Sequence, residues 1–202
     1  MSDKKLKKRD EIANEYKWDI EAMYPDENQW DKDLDWCLKE SEKFLSYQGH
    51  VSESADKLFE CIDTLYSIYR KLEHALVYAH MKKDEDNRVA KYIGMDDKAG
   101  MVAAKISANV SFFTPELLKA DESTILGYIN QNPKLKTYEF MLKDALREKS
   151  HILSKEEENI LAQLGEVSDS SHDIFTMLNN AEMKFGKIID EDGDEVELTH
   201  GN

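Results

Sequence analysis

Chain breakers are scarce: 202 residues contain eight glycines and three prolines. That count excludes a many-turned all-β sandwich and favours long helices. Cysteine is nearly absent too. Cys37 and Cys61 stand far apart with no Cys-x-x-Cys, which excludes a disulfide scaffold and reads as two reduced thiols packed as small hydrophobes. No stretch approaches the ~20 apolar residues of a membrane span, and the charged residues 1–16 lack the apolar core of a secretory signal. The expectation is a soluble cytoplasmic protein with no membrane partner. Positive charge is also short, at 27 Lys+Arg against 42 Asp+Glu and a net charge of −15. Nucleic acid is thereby excluded as the main ligand, because only residues 4–9 are locally basic.

What is present suits a folded core, since 41% of residues are hydrophobic. Asp26 followed by Gln29 reads as a capping box opening an amphipathic helix. Its apolar positions are Trp30, Leu34, Cys37, Leu38, Phe44 and Leu45, and Gly49 is available as a left-handed stop. From Ser54 a longer stripe runs through Leu58, Ile62, Leu65, Tyr69, Leu72, Leu76 and Ala79 to about Lys83. A third pattern takes Val89, Ile93, Met101, Ala104, Ala108 and Phe112, with Gly100 and Ala103 as further small residues for close helix approach. Pro115 suits the first position of a short helix capped by Thr114. Helical segments follow at 121–131 and 135–149, around Asn132 and Pro133, then one behind a second capping box, Ser154 with Glu157, and one over 170–180. The period changes only at 184–189 and 195–199, which flank an acidic turn ending in Gly193 and read as a β-hairpin. The fold expected is mainly α, a multi-helix domain of long amphipathic helices with a C-terminal β-hairpin. Its parts are an extended lead at 1–25, long helices at 26–114, shorter ones at 115–181 and the hairpin at 184–199.

The six histidines are His50, His74, His80, His151, His172 and His200. None starts the HExxH signature, in which two histidines one turn apart hold zinc and the glutamate takes a proton from the bound water. Glu148 with His151 and Glu197 with His200 match a di-iron spacing, yet one pair sits at a helix end and the other at a hairpin edge, so facing geometry is not expected. Asp190, Asp192 and Asp194 suggest calcium, but Gly193 stands fourth rather than sixth in that run and the flanks are strands, so a solvated turn is the better reading. His74 and His80 read as structural histidines. Tyr66, Tyr69 and Tyr78 lie on or beside the long stripe and read as core lining, with a peptide-contacting surface as the alternative. No phosphate loop, nucleophile elbow or Cys-His pair is present. The residues themselves therefore assign no catalytic, cofactor-binding or metal residue.

Three strings carry a resemblance: RDEIANEYKWDIEAMYPDENQW at 9–30, REKSHILSKEEENILAQLGEV at 147–167 and FTMLNNAEMKFGKIIDEDGDEVELTHGN at 175–202. Together they resemble the amino-terminal region of oligoendopeptidase F, a thimet-oligopeptidase-like zinc metallopeptidase family, over nearly the whole chain. Glu182 stands where that pattern has aspartate before Lys184 and Phe185. The resemblance implies a helical protein in which this region walls a deep channel that admits short peptides. It also implies zinc in the full-length family, held by a later HExxH and a downstream glutamate. No family ligand position falls within these residues, so no cofactor is expected in this chain. The catalytic part is its expected partner, and the chain alone is expected to be inactive. Two other classes remain open from the residues: an acidic helical protein-interaction module without activity, and a metal-storing carboxylate bundle.

Overall fold

The computed structural model describes residues 11–85, 89–151, 170–171, 174–175, 178, 186–190 and 193–198. Contacts divide the chain into two units, one of Arg9–Ser150 and the other of Met1–Lys8 with His151–Asn202.

The larger unit is built on three helices: α1 (Glu27–Phe44), α2 (Ala55–Glu85) and α3 (Ala90–Val110). Asp26 caps α1, its carboxylate accepting from the Gln29 amide at 2.9 Å. The capping box does not close, because the Gln29 side chain donates to Asp33 instead. The cross-links fix the helix directions. Trp30 reaches Ala75 and Cys37 reaches Ile68, so α1 and α2 run antiparallel. Asp31 pairs with Lys98 and Ser41 with Asn109, so α3 runs parallel to α1. Mutual contact among all three helices seals Leu34, Cys37, Leu58, Ile62, Ile68, Ala75 and Ile106 from water. One end is closed by Phe44 among Tyr47, Phe112 and Phe113, and the other by Tyr24 against His74 and Tyr78.

Three shorter helices follow: α4 (Phe113–Lys119), α5 (Glu122–Gln131) and α6 (Glu139–Glu148). A 3-10 turn at Pro133–Tyr138 separates the last two, with the Asn132 side chain accepting from the Lys134 amide. Later residues secure the α1–α2 corner. Glu116 accepts the Gly49 amide at 2.8 and 2.9 Å, the Tyr128 hydroxyl donates to the Ser52 carbonyl, and Asn132 donates to Asp56. Gly49 has φ +85°, the left-handed conformation that favours glycine.

In the other unit, β1 (Lys187–Ile189) pairs antiparallel with β2 (Glu195–Glu197), Ile188 standing opposite Val196. This is the expected hairpin. Gly193, at φ +87°, makes its turn.

The structure corrects several sequence expectations. On α3 the buried positions are Met95, Ala99, Ile106 and Val110, whereas Ile93, Met101, Ala104 and Ala108 face outward. A helix rich in alanine and glycine carries apolar groups on both faces, and packing against two neighbours chose the other one. Gly100 is exposed with open space around it, so it brings no helix close. On α2, Ile68 takes the core position expected of the half-exposed Tyr69. Pro115 is the third residue of α4 rather than the first, and Thr114 is inside the helix rather than its cap. That is tolerated because first-turn amides lack intrahelical acceptors. The second capping box and the helix behind it lie outside the described residues, as does most of 170–180.

Candidate functional site

The histidines do not converge. His50 pairs with its neighbour Glu53, His74 leans on the Tyr24 ring, and His151 is exposed beyond α6. His172 and His200 lie outside the described residues, so the Glu197 and His200 pair cannot be placed, and the Glu148 and His151 pair is exposed. His80 has the richest surroundings, with Asp84 and Asp96 each 3.4 Å away. That donor set does not fit a metal, because the Lys83 ammonium stands 2.6 Å from Asp96 and would repel a second cation there. Among the described residues no three His, Cys, Asp or Glu side chains gather as a metal site. Zinc therefore finds no fitting set of ligands in the part described.

Asp190 and Asp194 act as turn residues. The Asp190 carboxylate accepts the Asp194 amide at 3.0 Å, and the Asp190 amide donates to the Asp194 carbonyl at 2.9 Å. Asp192 is outside the described residues. The two cysteines are sealed in the helical core, where burial pushes the Cys37 thiol up to about 11 and the Cys61 thiol up to about 12. Neither is a nucleophile near neutral pH.

The three tyrosines part company. Tyr78 is core and meets Tyr24 edge-on, while Tyr66 and Tyr69 border an open groove of ≈ 550 Å³ along α2. Leu72 and Leu76 form its apolar floor, and Arg70 and Glu73 supply its charges. An apolar trough with a few polar groups on a rigid helix can hold an extended or helical peptide segment.

Two features escaped the sequence reading. Lys82 is buried at the end of α2, its ammonium 2.6 Å from Glu21 and 3.3 Å from Glu85 and over the Tyr92 ring at 5.0 Å. Burial opposes its charge, but Glu21 and Glu85 outweigh that and hold its pKa above the ordinary lysine value. Its place in a charged stretch gave no sign of burial. The other is the exposed pair Tyr16 and Trp18, 78% and 80% accessible. Their only signal was two large rings two residues apart outside any helical period.

The chain resembles known proteins along most of its length. A family model described as Oligopeptidase F matches residues 116–185. Oligopeptidase PepF of Bacillus subtilis is 33% identical over 98% of this chain and 29% of its own length. The group B oligopeptidase PepB of Streptococcus agalactiae is 34% identical over 96% of this chain and 32% of its own. The crystal structure of oligoendopeptidase-F from Enterococcus faecium superposes with a TM-score of 0.70 at 32% identity, covering 87% of this chain and 35% of that one. The chain thus spans about a third of the length of these relatives.

Proposed function

Because the chain belongs to the oligoendopeptidase F family and matches its amino-terminal region, we propose that it is the helical wall of a peptide-admitting channel in a zinc metalloendopeptidase of the cytoplasm. The observation that carries this reading is 33% identity to PepF over 98% of the chain, spread across only 29% of that relative. The relatives are named oligopeptidases and an oligoendopeptidase, so the substrate class is short peptides. The role of these residues is to bind and exclude: long rigid helices bar folded proteins, and the Tyr66 and Tyr69 groove offers apolar contact to an extended chain. In such an enzyme zinc polarises the amide carbonyl and activates water. None of the six histidines here begins an HExxH, so this chain by itself is inactive.

The test is to incubate the purified chain with zinc and an internally quenched peptide. No turnover is expected. Zinc-dependent cleavage that a chelator abolishes, and that follows the chain through successive purification steps, would overturn the reading.

A further inference from the structure

Where the lead meets the start of α1, Glu21, Asp26, Glu27 and Asn28 face Tyr78 and Lys82 of α2 around a pocket of ≈ 310 Å³. Tyr78 is the informative member. It is 1% exposed, yet its hydroxyl has no hydrogen-bond partner among the described residues, where no fully buried side-chain oxygen or nitrogen goes unpaired. The hydroxyl is therefore a part of Tyr78 that opens to the pocket. A sealed ring thus presents one bare polar atom between charged walls. Burial holds that hydroxyl above its ordinary pKa, with Glu21 and Glu27 adding and Lys82 opposing, so it stays neutral and can both accept and donate.

Charge selects what the pocket takes. Three carboxylates line it against Lys82, whose ammonium is already held by Glu21 at 2.6 Å and Glu85 at 3.3 Å, so an anion is repelled. Each carboxylate keeps acceptor capacity: Glu21 is 67% exposed, Asp26 gives only Oδ1 to the Gln29 amide, and Glu27 gives only Oε1 to Lys91. The positive end of the α1 dipole amounts to about half a charge, which Asp26 and Glu27 together exceed. These carboxylates do not gather closely enough to hold a metal ion, and Lys82 would oppose one. Their spread disfavours any point cation and suits a guanidinium, whose planar fork of five donors reaches separated acceptors. The volume is at the low end for ligand pockets and suits one side chain rather than a longer segment. We propose that this pocket binds the guanidinium of an arginine, free or within a peptide, with the Tyr78 hydroxyl accepting one of its N–H groups. The site is separate from the Tyr66 and Tyr69 groove, and it stands whether or not the proposed function does.

The experiment titrates the purified chain, by calorimetry at low salt, with N-acetyl-arginine amide, which stands for arginine within a peptide, and with free L-arginine. At least one should bind with a dissociation constant on the order of 1 mM. Binding of the capped form alone assigns the site to peptide arginines, binding of free arginine alone assigns it to the amino acid, and equal binding shows that the guanidinium suffices; each supports the proposal. The citrulline counterpart of the better ligand keeps the shape without the charge and should bind roughly tenfold or more weakly, with the lysine counterpart also weaker than arginine. Tyr78→Phe should weaken binding about tenfold and melt like the parent, because its hydroxyl has no partner in the fold to lose. Asp26→Asn keeps the helix cap and should weaken binding about threefold to tenfold. Absence of binding by both arginine compounds, equal affinity for the citrulline or lysine counterpart, or parental affinity in Tyr78→Phe overturns the inference.

Discussion

The indole Nε1 of Trp30 donates across 2.9 Å to the main-chain carbonyl of Ala75, joining α1 to α2 where both residues are sealed from water. Trp30→Phe removes that donor and part of the ring, so urea unfolding should register a loss of about 1–3 kcal/mol. Trp30→Ala should lose about 3–5 kcal/mol. A Trp30→Phe protein as stable as the parent would show that the bond contributes nothing.

Lys82 ties the lead to α2 through Glu21, and Lys82→Met should destabilise the chain by about 1–2 kcal/mol at pH 7, since the close ion pair with Glu21 and the one with Glu85 are both lost. The pH dependence has a definite sign. The folded pKa lies above the ordinary 10.5, so the stabilisation is complete below about that pH and fades as pH rises further. Urea titrations of both proteins should therefore differ by a constant amount from pH 7 to about 10 and converge above it.

Asp96 on α3 accepts from Lys83 at 2.6 Å and faces His80 at 3.4 Å, both on α2. Burial opposes its ionisation, but the Lys83 ammonium outweighs burial and His80 adds to it, holding the carboxyl below its ordinary 3.8. A lowered carboxyl pKa gives stability that is present above about pH 4 and lost as pH falls through the folded value. Asp96→Asn should lose about 0.5–1.5 kcal/mol at neutral pH and approach the parent near pH 2. A difference that persists unchanged in acid would mean that the side chain acts by packing alone.

Cys37 and Cys61, with thiols at about 11 and about 12, should ignore an aromatic disulfide reagent at pH 8 in the native chain. Both should react within minutes in concentrated urea. Fast labelling of either thiol in the absence of denaturant would show that the core around it opens.

The first two helices were legible because each has a narrow apolar stripe of large residues and Asp26 marks the start of the first; that Ser54 accepts the Lys57 amide at the start of the second came only with the structure. The hairpin was legible from Gly193 and its acidic neighbours. Helix α3 was legible as a helix but not in its facing, because Ile93 and Met101 compete with Met95 and Ile106 and only tertiary contact decides between them. The family was legible in three short strings, and the relatives bear it out. The pairing of Glu21 with Lys82 was beyond reach, because no local period links residues 61 positions apart. The Tyr66 and Tyr69 groove was half read: the rings were noted, but which of the three turned inward depended on where α1 lay.

The grip of Glu116 on the Gly49 amide spans 67 positions. During synthesis, therefore, the corner between the first two helices must wait for a carboxylate that emerges long after it. Until then that amide is held by water alone, and a ribosome stalled before α4 would release a hairpin with an unlatched bend.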